Sequence, residues 1–296
     1  MEEILSRYLQ TLKDERNYSE NTTAAYRNDL AQFASFLKTY GPNGASPASI
    51  DSDLLQAYAD FLKNNSYVSS TIARKVAAVK SFLRYLVRQG IIAEDPSHVL
   101  KSPRVSRQPP RILDQDSVDR LLAAPGEGKS SGALRDRALL ELLYSTGLRV
   151  TEAVNLRVQD VDYESSVVLC RSRTGRQREI PMGVAYRALS EYMESGRPAL
   201  AKDPAQEALF LNHRGRGLAR QGLWLIIKGY AKLAGVGDDV TPYTLRHSFA
   251  KHLISGGADL QHVQGLLGHA NLSTTQSYAR VSQFDAESSQ EPEPPA

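Results

Sequence analysis

Apolar and polar positions alternate with the period of an α-helix in four successive stretches of the first 90 residues. In the first stretch the apolar positions are Leu5, Tyr8, Leu9 and Leu12, a spacing of three and four residues that places them on one helical face. The same spacing returns in residues 19–40, 51–62 and 69–89, and glycine or Gly/Pro/Ser segments separate the stretches. The pattern predicts a small domain of four amphipathic helices over residues 1–94.

A second domain is predicted from residue 111. Residues 95–110 are rich in Pro, Ser and Arg and have no apolar period, which is typical of a linker. Helical spacing then indicates helices at residues 114–124, 133–145, 183–195, 219–234, 242–255, 259–267 and 273–282. Residues 167–170 (VVLC) and 178–181 (REIP) predict an antiparallel hairpin. We therefore expect a mainly α domain with one small antiparallel sheet over residues 111–284, followed by a disordered acidic tail at 285–296.

The composition is that of a globular protein, with 41% hydrophobic residues, 23% charged residues and a net charge of +3. No run reaches the roughly 18 apolar residues of a spanning helix, and residues 1–11 (MEEILSRYLQT) are acidic and amphipathic, whereas a signal peptide is basic and then apolar. We expect a cytoplasmic protein without a membrane partner. Cys170 is the single cysteine, and the six histidines form neither an HExxH pair nor a Cys/His cluster. We expect no metal and no cofactor.

Basic side chains are concentrated in two places. The hairpin segment 171–178 (RSRTGRQR) contains four arginines and no acid, namely Arg171, Arg173, Arg176 and Arg178. The polar face of the fourth predicted helix contains Arg74, Lys75 and Lys80. Both clusters are candidate phosphate contacts in a DNA complex, and an ordinary solvated helix face is the alternative for the second.

Four separated segments place reactive side chains beside a glycine or a helix cap. They are residues 145–152 (STGLRVTE), the hairpin, residues 241–247 (TPYTLRH) and residues 266–278 (LLGHANLSTTQSY). Tyr243 and Arg246 are three apart on one helical face, and a turn at Gly268 can bring His269 to Tyr278. Taken singly, each segment has an ordinary structural explanation, such as a surface ion pair, a core tyrosine or a helix end.

Together these segments resemble the motifs of the tyrosine recombinase family, most closely its bacterial Xer group. The matching residues are STGLR at 145–149 with Glu152, LRHSFA at 245–250, LLGH at 266–269 and STTQSY at 273–278. The resemblance implies a helical, SAM-like core-binding domain and a catalytic domain that close around double-stranded DNA as a C-shaped clamp. It also implies a homotetramer, or a heterotetramer with a paralogous recombinase, that resolves chromosome dimers at cell division with a septal DNA translocase.

The resemblance also assigns catalytic roles by position. Tyr278 becomes the nucleophile, Arg149 and Arg246 the arginine pair, and His269 the second histidine position, with Glu152 as a support for Arg149. Two guanidinium groups suit a phosphodiester under attack because each offers a planar fork to the charged oxygens. A 3′-phosphotyrosyl linkage retains the energy of the broken bond, so rejoining needs neither ATP nor a metal.

Two positions depart from the family pattern. Tyr243 occupies a position that usually holds histidine, which keeps a hydrogen-bond donor but loses a group that titrates near neutrality. Arg173 occupies the position of the catalytic lysine, which is thought to protonate the leaving 5′-oxygen. Arginine, with a pKa about 2 to 3 units higher than lysine, is the weaker proton donor, so we expect slow cleavage. Alternatively, Arg173 stabilises the leaving oxygen by its charge, or it only grips phosphates in the minor groove.

Two alternatives to a chromosomal Xer role remain open at this point. An integrase of a mobile element would have the same motifs. A DNA-binding relative that has lost cleavage would be consistent with the substitutions at Arg173 and Tyr243.

Overall fold

The computed structural model describes residues 1–14, 18–42, 46–105, 110–126, 128–172, 175–269, 271–276 and 278. The chain divides into two compact units at residues 108 and 109. Part of the predicted linker, Arg173 and the predicted acidic tail lie outside the described residues. Within the described ranges, no helix combines the length and the apolar character needed to cross a membrane.

The first unit is built from four helices, as the apolar spacing predicts. They are α1 (Glu2–Asp14), α2 (Glu20–Tyr40), α3 (Ser52–Asn64) and α4 (Ser69–Arg88), with short 3-10 turns at Pro47–Ser49 and Pro96–Val99. The predicted apolar face of α1 is buried. In the centre of the unit, the ring centroid of Tyr58 lies 4.8 Å from that of Phe33 and 5.1 Å from that of Phe36. Such edge-to-face aromatic contacts add to the stabilisation from apolar burial.

Lys75 does not lie on the solvated face of α4, and the prediction that places it there is wrong. Its side chain is 9% exposed, and its Nζ lies 3.1 Å from Asp29 Oδ1 and 2.7 Å from Gln32 Oε1. Arg74 pairs with the same buried carboxylate. A buried carboxylate needs such partners, so Lys75 ties α4 to α2 and is not available to a DNA phosphate. Lys80 remains partly exposed.

The second unit is also mainly helical. Its α-helices among the described residues are α5 (Gln115–Ala123), α6 (Ser131–Thr146), α7 (Val150–Asn155), α8 (Ala185–Glu191), α9 (Arg197–Leu200), α10 (Arg220–Leu233), α11 (Pro242–Ser255) and α12 (Leu260–Leu267). A π-helical turn, Tyr192–Gly196, joins α8 to α9, and residues 272–276 are again helical. Helix α6 packs against both α8 and α11, so it has apolar residues on more than one face.

A three-stranded antiparallel sheet of order β1-β2-β3 interrupts these helices. Its strands are β1 (Val161–Asp162), β2 (Val167–Arg171) and β3 (Gln177–Pro181). The predicted hairpin is confirmed, whereas β1 is an addition to the prediction. Cys170 pairs with Arg178, and Val168 pairs with Ile180. Because alternate residues share a face, Arg178 points to the same side of the sheet as the buried Ile180.

Gly147 ends α6 and allows a sharp turn before Arg149. Its φ is +58°, in the left-handed region. A Cβ at this position would lie 2.5 Å from Cδ1 of Phe249 and 2.8 Å from Cδ2 of Leu267. Both the backbone conformation and the close approach of α11 and α12 therefore require glycine.

We expect Gly147→Ala to lower the free energy of unfolding by about 3 kcal/mol, because backbone strain and a core clash add. Gly235→Ala is the matched control. Gly235 also has a positive φ, +64°, but apart from Gly235 itself and its two chain neighbours, no atom of the described residues lies within 4 Å of the position that a Cβ would take there. The free energy of unfolding of this control should fall by about 1 kcal/mol. Urea denaturation measures both losses, and equal values would contradict the close approach at Gly147.

Candidate active site

Arg149 stands immediately before α7, two residues after the glycine turn. Its backbone N–H donates to Glu152 Oε2 at 2.8 Å, and its Nη1 donates to Glu152 Oε1 at 2.9 Å. The contact expected between these two residues is therefore present. The Arg149 side chain is 37% exposed, so its guanidinium is both fixed in position and open to a ligand.

Arg246 lies in the second turn of α11, which begins at Pro242 after the capping hydroxyl of Thr241. The residue is 4% exposed, and its guanidinium donates to the carbonyl oxygens of Gly147 and Leu267. Burial, together with the charge of Arg149, lowers the pKa of Arg246 to about 10. Arg246 therefore remains charged at neutral pH, and this buried cation is held by backbone carbonyls.

Three arginines converge on the C-terminal end of α12. Arg178, Arg246 and Arg149 donate to the carbonyl oxygens of residues 266, 267 and 268 at 2.8, 2.7 and 2.9 Å respectively. The last carbonyls of a helix lack partners within the helix, and they form the negative end of its dipole. The C-terminal end of α12 therefore binds three cations, Arg178 of the hairpin, Arg246 of α11 and Arg149 at the start of α7.

Arg178 is not a free side chain at the hairpin tip, and its role as a DNA contact stays a prediction. Its Nη1 and Nη2 each donate to one carboxylate oxygen of Glu152 at 2.9 Å, and its side chain is 14% exposed. A bidentate pair of this kind fixes both partners. Arg178 therefore positions Glu152, and through it Arg149.

The other hairpin arginines differ in their availability. Arg171 pairs with the buried carboxylate of Asp160 while its side chain stays 42% exposed. Arg176 is exposed. Arg173 lies outside the described residues, between these two. Arg176 and the exposed part of Arg171 remain candidates for phosphate contact.

Glu152 is held as a carboxylate by the arginines around it. Burial by itself would raise its pKa, but the hydrogen bonds from Arg178 and from the Arg149 backbone, with the charges of both arginines, lower it to about 2. The group is therefore ionised throughout the neutral range. Its negative charge compensates the positive charges of Arg149 and Arg178, which would otherwise repel each other in this partly buried site.

The turn after α12 places His269 beside this arginine cluster. Gly268 has a φ of +61° and ends the helix. Nδ1 of His269 lies 2.9 Å from Oγ1 of Thr275, which anchors the ring. Burial and the charges of Arg246 and Arg149 lower the pKa of His269 to about 4. At neutral pH the ring is therefore uncharged, and it can donate one N–H to a phosphate oxygen.

Tyr278 is 3% exposed and lies between two histidine rings. Its ring centroid is 6.2 Å from that of His269 and 5.2 Å from that of His247. Its Oη is 2.7 Å from Nδ1 of His247. The approach of His269 to Tyr278 that the sequence allows is therefore present. Sequence reasoning assigns no role to His247, although it follows Arg246 and lies four residues after Tyr243 on one helical face.

Tyr243 occupies a different environment from Arg246, although the two are three residues apart in α11. Tyr243 is 65% exposed, whereas Arg246 is buried. The Tyr243 ring instead lies 6.5 Å from the ring of His247, centroid to centroid. Its hydroxyl is therefore available at the surface, next to the tyrosine–histidine pair.

The assembled site matches the needs of phosphoryl transfer. Two fixed guanidinium groups and an uncharged imidazole provide charge and hydrogen-bond donors for phosphate oxygens. A phenol, that of Tyr278, is a group that can act as a nucleophile. A cavity of about 390 Å³ opens beside His269 between the hairpin and α12.

Comparison with known proteins identifies the class. Residues 111–284 match the phage integrase family, and residues 5–90 match the phage integrase N-terminal SAM-like domain. The chain therefore belongs to the phage integrase family, the tyrosine recombinases, which are enzymes that bind, cleave and rejoin DNA. The family and the fold class expected from the motifs are confirmed.

The most similar relatives include proteins of the Xer group. Tyrosine recombinase XerC of Roseiflexus castenholzii is 47% identical over 284 residues, which cover 95% of this chain and 90% of the relative. Tyrosine recombinase XerD of Listeria innocua is 38% identical over 286 residues, 96% of each chain. A crystal structure of the XerH site-specific recombinase, a post-cleavage complex with a palindromic difH substrate, has the same fold. The TM-score is 0.76 and the sequence identity 21%, over 96% of this chain and 83% of that one.

Proposed function

We propose that Tyr278 is the nucleophile of this recombinase, and that Arg149, Arg246 and His269 bind the scissile phosphate. The observation that carries this proposal is the convergence of these four side chains. They come from four separate places in the chain, yet Arg149 and Arg246 hold the carbonyls next to His269, whose ring stacks on Tyr278. Glu152 and Arg178 act through Arg149 as positioning residues.

The reaction follows from these positions. Oη of Tyr278 attacks the phosphorus, a bond forms between this oxygen and the 3′-phosphate, and the bond to the 5′-oxygen breaks. Arg149 and Arg246 stabilise the charge that develops on the non-bridging oxygens. Attack by a 5′-hydroxyl of another strand reverses the step and releases the tyrosine.

We further propose that Arg173 acts on the leaving 5′-oxygen. In the sequence it lies between Ser172 and Gly175, and the N–H of Gly175 donates to the carbonyl of Ser172 at 3.0 Å. An arginine at this sequence position provides a permanent positive charge for the leaving oxygen but is a poor acid.

Arg173→Lys should accelerate strand cleavage, because lysine donates a proton more readily. The measurement uses a duplex with a Xer-type recombination site and a nick near the scissile phosphate, so that the cut strand diffuses away and the covalent species accumulates. We expect adduct to form about tenfold faster on a denaturing gel. Arg176→Lys, a change of the same kind on the exposed part of the hairpin, is the control. An unchanged or slower rate for Arg173→Lys would show that position 173 does not limit the protonation step.

We propose a Xer-type role for the enzyme, the resolution of chromosome dimers at cell division. The identity to proteins named XerC and XerD over nearly the whole chain supports this role. Exchange between two duplexes requires four cuts, so the active form is a tetramer of this chain alone or with a paralogous recombinase. The substrate is chromosomal DNA, which places the enzyme in the bacterial cytoplasm, where a septal DNA translocase is the expected partner.

Deletion of the gene from its host tests this role. We expect a fraction of cells to form filaments with undivided chromosomes, and we expect wild type but not Tyr278→Phe to restore division. Normal division, combined with loss of excision of a resident mobile element, would instead identify an integrase.

A further inference from the structure

His247 makes the hydrogen bond to the reacting oxygen, although the motif gives it no role. The bond from Nδ1 of His247 to Oη of Tyr278 is 2.7 Å, short enough for direct proton transfer. The neighbouring His269 instead directs its Nδ1 to the hydroxyl of Thr275. Of the two histidines around the tyrosine, His247 is therefore the one whose Nδ1 lies within hydrogen-bond distance of Oη of Tyr278.

The elements around His247 also fix its ring. Helix α11 holds it between Tyr243 and Tyr278, with ring centroids at 6.5 and 5.2 Å. The adjacent Arg246 is anchored to two backbone carbonyls, so this part of the helix has little freedom to turn. A fixed acceptor beside a nucleophile is the arrangement of a tyrosine paired with a general base.

We propose that His247 is a catalytic residue that accepts the proton of Tyr278 during strand cleavage and returns it during rejoining. As Oη forms its bond to phosphorus, its proton moves to Nδ1 of His247, and the 5′-oxygen leaves with the electrons of the broken bond and takes a proton from solvent water. In the reverse reaction the imidazolium protonates Oη as the tyrosine leaves. This assignment rests on the proposed role of Tyr278 as nucleophile.

The charge state of His247 is suited to this role. The groups around it are Arg246 on its own helix, the phenols of Tyr243 and Tyr278, and the imidazole of His269. Burial, with the charge of Arg246, lowers the pKa of His247 below its usual 6.5. The ring is therefore uncharged at neutral pH and free to accept a proton. A scissile phosphate bound beside the arginines brings negative charge, which favours the imidazolium once it has formed.

Two substitutions separate proton transfer from simple positioning. His247→Asn places an amide close to the position of Nδ1 and keeps a hydrogen bond to Tyr278, but it cannot take up a proton. His247→Ala removes both the hydrogen bond and the proton acceptor. We expect both variants to lose about 100-fold in the single-turnover rate of adduct formation on the nicked duplex. A wild-type rate in His247→Asn would overturn the proposal, because it would show that the hydrogen bond alone is needed.

The chain provides a matched control on the same helix. Nδ1 of His252 lies 2.8 Å from Oη of Tyr144, a second tyrosine–histidine pair with a hydrogen bond of similar length. His252→Asn should therefore leave the cleavage rate unchanged while it imposes the same kind of change on α11. A loss equal to that of His247→Asn would show that damage to the helix explains the effect, and would contradict the proposal.

A modified substrate tests whether His247 exchanges a proton with Oη of Tyr278 or with the leaving 5′-oxygen. When sulfur replaces the bridging 5′-oxygen, the leaving thiolate needs no proton. If His247 acts on Tyr278, the 100-fold loss persists with this substrate. If the loss disappears, His247 acts on the leaving group and the proposal fails. Tyr278→Phe is tested alongside, and an adduct in that variant would refute the nucleophile assignment itself rather than the role of His247.

The pH profile gives an independent test. Below the pKa of His247, wild type should lose about tenfold in cleavage rate per pH unit, because the protonated ring cannot accept a proton. The profile of His247→Asn should be flat over the same range. An identical acidic limb in both proteins would contradict the assignment.

Discussion

We expect Tyr278→Phe to abolish covalent adduct formation and strand exchange, yet to leave the fold and the DNA affinity nearly unchanged. The substitution removes the oxygen that we propose attacks phosphorus. It keeps the ring that packs against His247 and His269. The lost hydrogen bond costs about 1 kcal/mol of stability. A gel shift, thermal unfolding and the denaturing gel measure the three properties on the same preparations.

Tyr144→Phe is the control for this prediction. It removes a hydroxyl that also bonds to a histidine of α11, and Tyr144 lies in the same unit. We expect a comparable small loss of stability and a normal amount of adduct. Adduct in Tyr278→Phe, or its absence in Tyr144→Phe, would contradict the assignment of the nucleophile.

Glu152→Gln has the second largest expected effect, on both stability and activity. The carboxylate of Glu152 bonds to Arg178 through both oxygens and to Arg149 through its side chain and backbone. Glutamine retains one acceptor oxygen but no charge, which leaves two arginines uncompensated. We expect a loss of about 3 kcal/mol in the free energy of unfolding. Because Arg149 is no longer fixed, cleavage should slow by about 10- to 100-fold.

The pH dependence of stability separates the charge of Glu152 from its shape. The pKa of Glu152 in the folded protein, about 2, lies below its ordinary value of 4.5. The stabilisation from the ionised form is therefore complete above about pH 4.5, and it is lost as the pH falls from there toward 2. The difference between wild type and Glu152→Gln should shrink over this window. A constant difference would show that the shape of the side chain, and not its charge, matters.

Glu207→Gln is the matched control for the loss of a charge. Glu207 pairs with Arg157 in the same unit, but both side chains are more than half exposed, at 67% and 52%. Solvent screens such a pair, so its contribution to stability is small. We expect the control to unfold and cleave nearly as wild type does.

The helices of this protein can be predicted from local patterns because each one has an apolar face. The faces of α1 and α3 are buried as the spacing indicates. The two-residue strand β1 escapes prediction, since two residues are too few to show an alternation of apolar and polar positions. The position of Lys75 is mispredicted for a related reason. Its partner Asp29 lies 46 positions away, and no local pattern reveals an ion pair between two helices.

The candidate site can be predicted in its parts but not in its connections. The motifs indicate Arg149, Arg246, His269 and Tyr278 as separate residues. The contacts that join them link residues 119 positions apart, as between Arg149 and Gly268, or 88 apart, as between Arg178 and Leu266. Basic residues at a hairpin suggest DNA contact, and only the strand register shows that Arg178 faces inward. Tertiary structure therefore reveals the contacts of Arg178 with Glu152 and Leu266, which no local pattern indicates.

The most direct test of this mechanism is the chemical identity of the residue that becomes attached to DNA. Wild-type enzyme is incubated with the nicked duplex, the adduct is isolated under denaturing conditions, and protease and nuclease digestion leaves a peptide that mass spectrometry can sequence. We expect one modified peptide, with a 3′-phosphonucleotide on the oxygen of Tyr278. A nucleotide attached to another residue, or a 5′-phosphate linkage, would contradict the mechanism.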